Sequence, residues 1–207
     1  MNLLIVAATE FEIEPFLKEK TNAEILITGV GIPATVFHLT QKLSGKKYDL
    51  VLQAGLAGTF NDHLNLAEVV IVKEDAFADL GIEENGNFKT LFETGFIKKN
   101  DFPFKDEWLV NPLPLLTENN LFVAKGITVN KIGDDPVQNK IIKRKFLPDV
   151  ESMEGAAFHY VCLQQKINFL QLRGISNDVG QRDKSKWKLK ESVENLNKEL
   201  FKIMKNL

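Results

Sequence analysis

The chain opens with an unbroken apolar run, LLIVAA, from Leu3 to Ala8. A short run without alternation predicts a strand covered on both faces. Similar runs follow at Ala23 to Thr28 (AEILIT), Asp49 to Ala54 (DLVLQA), Ala67 to Lys73 (AEVVIVK), Gly126 to Val129 and Ile167 to Leu172 (INFLQL). Between them the pattern predicts helices: from Pro33 to about Ser44, around Pro136 to Phe146, and from Ser152 to Gln165. Pro33 suits a first helical turn. The last helix is the clearest, with Leu189, Val193, Leu196, Leu200, Ile203, Met204 and Leu207 on one stripe. Strands alternating with helices and glycine turns predict an α/β fold with a substantially parallel sheet. From Phe77 to Thr117 the order lapses. Gly81, Gly86, Gly95, Pro103, Pro112 and Pro114 predict loops with short elements, lining a site or a subunit interface.

Composition narrows the function classes. At 207 residues, with no linker or internal repeat, one domain spanning 1–207 is expected. A formal net charge of -2 gives no general attraction to nucleic acid or an anionic membrane, so neither is expected as a partner. The single cysteine, Cys162, rules out an intrachain disulfide framework. The first apolar run is too short to span a bilayer and lacks a signal peptide's basic flank, so a cytoplasmic location is expected. His38, His63 and His159 show no metal-ligand spacing, and no metal or cofactor is expected. The lysines of KSKWKLK (Lys184 to Lys190), around Trp187, read as a solvated helix entry rather than a nucleic-acid patch.

Four stretches carry polar groups at strand or helix ends. In AATEFEIEPF (Ala7 to Phe16), Thr9 and Glu12 have the spacing of a capping box, in which the glutamate only ties back the helix start. Pro15 points to a helix starting nearer Glu12, which leaves that carboxylate in the strand-to-helix turn facing the crevice. Spacing alone favours the cap. In TGVGIPAT and QAGLAG, Gly29, Gly31, Gly55 and Gly58 allow tight turns or close backbone approach to a ligand. Neither is a P-loop or a G-x-G-x-x-G fingerprint. In VESMEGAAFHY (Val150 to Tyr160), Glu151 and Glu154 lie near a helix start, ahead of small residues that permit close packing. A carboxylate there is able to accept from two neighbouring hydroxyls, such as a ribose 2′,3′ pair. In RGISNDVGQRD, residues Arg173, Asp178, Arg182 and Asp183 read as a surface ion-pair cluster of little energetic value.

Taken in order, ATEFEIEP, TGVGIPAT, AGLAG, SMEGAA, RGISN and RDKSKW resemble the purine nucleoside phosphorylase and nucleosidase superfamily over nearly the whole chain. Within it the chain is most similar to the futalosine hydrolases and more distantly to 5′-methylthioadenosine/S-adenosylhomocysteine nucleosidases. The resemblance implies a three-layer α/β/α sandwich around a twisted mixed β-sheet. It also implies a homodimer or larger homo-oligomer acting on a small-molecule nucleoside. It assigns Glu12 as the base that activates water, and Met153 and Glu154 as ribose-binding residues. Asn177, after Ser176, is placed at the purine N7 edge. Gly55 belongs to the substrate-facing AGLAG segment, and Ile132 to the NKIG segment taken as the candidate base-stacking element. No arginine precedes Arg144, so the phosphorylases' early phosphate-binding arginine is missing and water is the implied nucleophile. Two departures stand out. Leu56 replaces a serine of the methylthioadenosine branch, leaving backbone N–H groups to meet the water. Ser152 replaces a carboxylate before Met-Glu, with Glu151 adjacent.

Asn177 bears on the base. A 6-oxopurine presents two acceptors, O6 and N7; an amide NH₂ donates to them, whereas a carboxylate repels them. The expected reaction is hydrolysis of futalosine to hypoxanthine and dehypoxanthine futalosine. The alternatives are an adenine-releasing nucleosidase and a non-catalytic nucleoside-binding module.

Overall fold

The computed structural model describes residues 1–113 and 120–207. Its strands are β1 (Leu3–Ala7), β2 (Glu24–Ile27), β3 (Leu50–Thr59), β4 (Val69–Phe77), β5 (Gly81–Glu84), β6 (Asn87–Thr90), β7 (Leu109–Val110), β8 (Phe122–Thr128), β9 (Val150–Ser152) and β10 (Phe169–Asp178). Its α-helices are α1 (Glu14–Leu17), α2 (Ile32–Gly45), α3 (Pro136–Phe146), α4 (Gly155–Gln165) and α5 (Leu189–Lys205). The aperiodic middle holds the β5–β6 hairpin and β7; its end, 114–117, lies outside the described residues, as do 118 and 119.

The main sheet is mixed, in the order β10-β4-β8-β9-β3-β1-β2. Helices cover both faces, as expected of an α/β/α sandwich. Leu3, Ile5 and Ala7 of β1 pack with Leu196, Leu200 and Ile203 of α5 and with Ile13 and Phe16. Leu4 and Val6 point the other way, against Leu39 and Leu43 of α2 and Phe158 and Val161 of α4. Successive strand residues face opposite sides, so covering both sides requires the unbroken apolar run.

The sheet also curls. β3 pairs with β1 over Leu50–Gln53, but its last residues, Gly58 and Thr59, pair with β9. β10 runs parallel along the other edge of β3 for the full length and also pairs antiparallel with β4. The ring β3-β9-β8-β4-β10 therefore closes, gathering the ends of β1, β3, β9 and β10 around one opening.

Three expected boundaries shift. The AGLAG glycines are not a turn: Gly55 and Gly58 lie inside β3. The RGISND segment continues β10 instead of following it. Residues Val150–Ser152 form β9, and the helix expected from Ser152 begins at Gly155, with Glu154 as its N-cap residue. Long-range pairing between β3 and β10 draws both segments into strands, and sequence periodicity does not register such pairing.

One buried polar residue ties the C-terminal helix to the N-terminal turn. Asn197 on α5 donates to the Glu12 carbonyl (2.9 Å) and accepts from the Phe16 N–H (3.2 Å). Replacing it, as in Asn197→Leu, strands two main-chain groups away from water. The expected cost is about 2 kcal/mol or more of unfolding free energy, measured by urea denaturation.

Candidate active site

A cleft of about 290 Å³ opens where these strand ends converge. Glu12, Ile132, Met153, Glu154, Ser176 and Asn177, six of the seven residues expected at the site, line it. Gly55 lies beneath. A Cβ at that position would overlap the Arg173 guanidinium and come within 3.1 Å of Glu12 Oε1, so the missing side chain makes room for both groups.

Glu12 sits in a 3₁₀ turn, Glu10–Ile13, between β1 and α1, with Pro15 in the first turn of α1. The Thr9 N–H and hydroxyl both donate to Oε2, at 3.0 and 3.3 Å. This is the Glu12 half of the capping box. The other oxygen, Oε1, accepts from the Leu56 N–H at 3.0 Å at the cleft wall. Cap and site residue are therefore not alternatives, because the carboxylate divides its two oxygens between the roles. Glu12 is 8% exposed. Burial pushes its pKa up. The Leu56 N–H and the Arg173 charge pull it back, and the Glu154 charge adds to the rise.

Glu154 faces the same cleft and is also buried. Its Oε1 accepts from the Gly31 N–H at 2.9 Å, and its Oε2 lies 3.9 Å from Arg173 Nη1. Gly31 adopts φ 93°, a conformation that favours glycine, in the turn leading into α2. The TGVGIP stretch thus supplies a main-chain donor that orients a carboxylate.

Arg173 was expected at the surface and is instead 1% exposed. Among the described residues no ion pair joins it to Asp178, Arg182 or Asp183. It lies within β10, paired with Gly55, where its side chain has no path to solvent. Nη2 donates to Gln53 Oε1 at 2.9 Å, and the positive charge sits between Glu12 and Glu154. The pairing of β10 with β3 through Gly55 carries the strand on past the INFLQL stretch and takes the arginine inside.

Behind Arg173 lies a second polar layer that the sequence pattern did not reveal. Asp75 on β4 is fully buried, accepting from Thr128 Oγ1 (2.9 Å) and Gln171 Nε2 (3.2 Å). A Cβ at Gly155 would overlap it, so the small residue opening α4 makes space for this carboxyl. Burial raises the Asp75 pKa to about 6 against those hydrogen bonds and the Arg173 charge. His159 is also fully buried, its Nδ1 2.9 Å from the Leu109 carbonyl. Burial lowers its pKa to about 4, which keeps it neutral and structural.

At the rim, Ser176 Oγ lies 2.8 Å from Asn177 Oδ1, and Asn177 Nδ2 donates to the Asp178 carbonyl at 2.9 Å. Among the described residues, one amide hydrogen of Asn177 has no acceptor. Asp178 is exposed and does not line the cleft. Trp187, expected only as part of a solvated helix entry, is half-buried in the cleft wall, its Nε1 donating to the Gln181 carbonyl at 2.8 Å.

A family model of the phosphorylase superfamily matches residues 9–207. The chain belongs to the phosphorylase superfamily. A futalosine hydrolase of Thermus thermophilus is 30% identical over 187 residues, covering 86% of this chain and 80% of that protein. A 5′-methylthioadenosine/S-adenosylhomocysteine nucleosidase of Bacillus cereus is 32% identical over 164 residues, covering 76% of this chain and 68% of that protein. The crystal structure of such a nucleosidase from Campylobacter jejuni superposes over 100% of both chains with a TM-score of 0.80 at 20% identity, a likeness of fold. With these relatives, this member of the superfamily is an N-glycosyl hydrolase of the nucleosidase type. Among its described residues no helix is long and apolar enough to cross a membrane.

The buried Asp75 gives the fold a pH dependence. A carboxyl whose pKa rises on folding holds its proton more tightly in the native chain. It therefore favours the native state fully below the unfolded value of 3.8, and that contribution is lost as pH climbs through about 6. Asp75→Asn is expected to remove a decline of roughly 2 kcal/mol in unfolding free energy between pH 4 and 7, as followed by denaturant titration across that range.

Proposed function

We propose that this nucleosidase hydrolyses futalosine and releases hypoxanthine. The observation that carries the reading is Asn177: an uncharged amide on the cleft wall, its oxygen facing the Ser176 hydroxyl and its nitrogen keeping one free hydrogen. That donor suits the O6 and N7 acceptors of a 6-oxopurine, whose negative charge grows as it leaves. The similarity to a futalosine hydrolase over 86% of the chain supports the same substrate.

In this reading the ribose lies between Met153, Glu154 and Glu12. Glu154 accepts from the sugar hydroxyls and orients the ring for attack. The C1′–N9 bond breaks with its electron pair going to the base, and positive charge builds on the ribose. A water oxygen bonds to C1′ while its proton passes to Glu12. Carboxylates beside the sugar stabilise the oxocarbenium-like state, and the Asn177 NH₂ meets the charge on the base. Water binds beside the Glu12 carboxylate; the Leu56 N–H, which donates to Glu12 Oε1, orients that base and not the water. Similarity to the Bacillus cereus nucleosidase at 32% identity favours a second reading, an adenine-releasing enzyme, on the same machinery.

Purified protein is expected to release hypoxanthine from futalosine in phosphate-free buffer, read by chromatography of the freed base. Glu12→Gln should lower kcat at least about 100-fold. Absence of release, with Glu12→Gln indistinguishable from the unaltered chain, overturns the proposal. Adenine release from methylthioadenosine, increased by Asn177→Asp, supports the second reading instead. Because Glu12 works ionised and its pKa is raised by burial, kcat/KM should fall on the acid side at a pH above the ordinary glutamate range. A pH–rate profile with its acid limb at or below pH 4.5 contradicts this.

A further inference from the structure

Glu151 has no part in the reaction just described, yet it lines the same cleft. It is 6% exposed, and among the described residues no hydrogen bond reaches its carboxyl. Its oxygens meet the open cleft, and a carboxyl there without a protein donor marks a place where a ligand supplies the donor.

Strand register says which part of the ligand that is. Glu151 of β9 pairs with Gly58 of β3, and Gly58 pairs on its other side with Asn177 of β10. The three residues form one row across three strands, with side chains on the same face. Gly58 at the centre adds nothing to that face. A Cβ there would come within 3.2 Å of Asn177 Nδ2 and 3.0 Å of Val179 Cγ2. The row is thus a glycine floor with an amide at one end and a carboxyl at the other. Their backbones stand about 9–10 Å apart, two strand spacings. A flat heterocycle over the glycine presents one edge to each side chain.

Resting on the 6-oxopurine reading above, we propose that Glu151 is a specificity-determining residue that accepts the N1–H of the base while Asn177 donates to its O6 and N7 edge. Hypoxanthine carries both the acceptors and the donor that this pair requires. Adenine keeps the N7 acceptor but lacks the other two, because its N1 is an acceptor and its 6-position an amine. An ionised Glu151 therefore repels the adenine N1. Burial and the nearby Asp79 charge hold its pKa up at about 7 when the site is empty, as expected of a carboxylate that lacks a donor.

The test is a binding cycle on the whole protein, with hypoxanthine and 1-methylhypoxanthine as probes, read by calorimetry or by product inhibition. The unaltered chain should prefer hypoxanthine by at least about tenfold, the worth of one charge-assisted hydrogen bond. In Glu151→Ala, which also leaves room for the methyl group, the preference should shrink to within about threefold. Glu151→Gln keeps the shape of the side chain and should weaken hypoxanthine binding while leaving 1-methylhypoxanthine unchanged; it serves as well if the alanine variant does not fold. Equal binding of the two bases by the unaltered chain, or a preference that survives in both variants, overturns the assignment of Glu151 even if futalosine is hydrolysed. Failure to bind hypoxanthine at all, together with adenine release, overturns the 6-oxopurine reading and the Glu151 assignment with it.

Discussion

The site depends on a guanidinium held inside the protein. Arg173 is almost completely enclosed, and a charge in that position is tolerated only where opposite charges and acceptors surround it. Gln53 accepts from one nitrogen, and Glu12 and Glu154 flank it with negative charge. The dependence runs both ways. Two buried carboxylates so close together raise each other's cost, and the arginine between them keeps both available as acceptors. Gly55 belongs to the same constraint, since any side chain there would occupy the space of the guanidinium.

The curled sheet makes this arrangement possible. In a flat open sheet, β9 and β10 would not meet the same strand at the same level. Here β3 is long enough to exchange β1 for β9 along one edge while β10 follows the other. The β-bulge at Ser176 alters the register between Ile175 and Asn177. Bulges re-aim side chains, and this one sets Asn177 over Gly58 beside the cleft. Polar side chains that would be liabilities in the core thereby acquire a common opening.

Glu12 shows how a helix cap and a cleft wall share one group. Its oxygens divide between the Thr9 cap and the Leu56 N–H, so the helix start that the glutamate stabilises also aims it. Asn197 fixes the same turn from α5 through the Glu12 carbonyl. Main-chain donors on a turn held from two sides keep this cleft carboxylate within a narrow range of positions.

Much of this was legible in the chain itself. Strand and helix order follows from uncovered-face arithmetic: unbroken apolar runs need two covered faces, and the α5 stripe needs one. The residues Glu12, Met153, Glu154, Ser176 and Asn177 could be picked out because their motifs are local and ordered. Tertiary structure decided the rest. Whether GLAG is a turn or a strand, whether Arg173 is outside or inside, and whether Glu151 stands in a row with Asn177 all depend on pairings between residues far apart in sequence. The buried pair Asp75 and Gln171, 96 residues apart, belongs to the same class. Periodicity reports how one segment is covered. It carries no information about which distant segment does the covering, and the partner's register determines which side chains share a face.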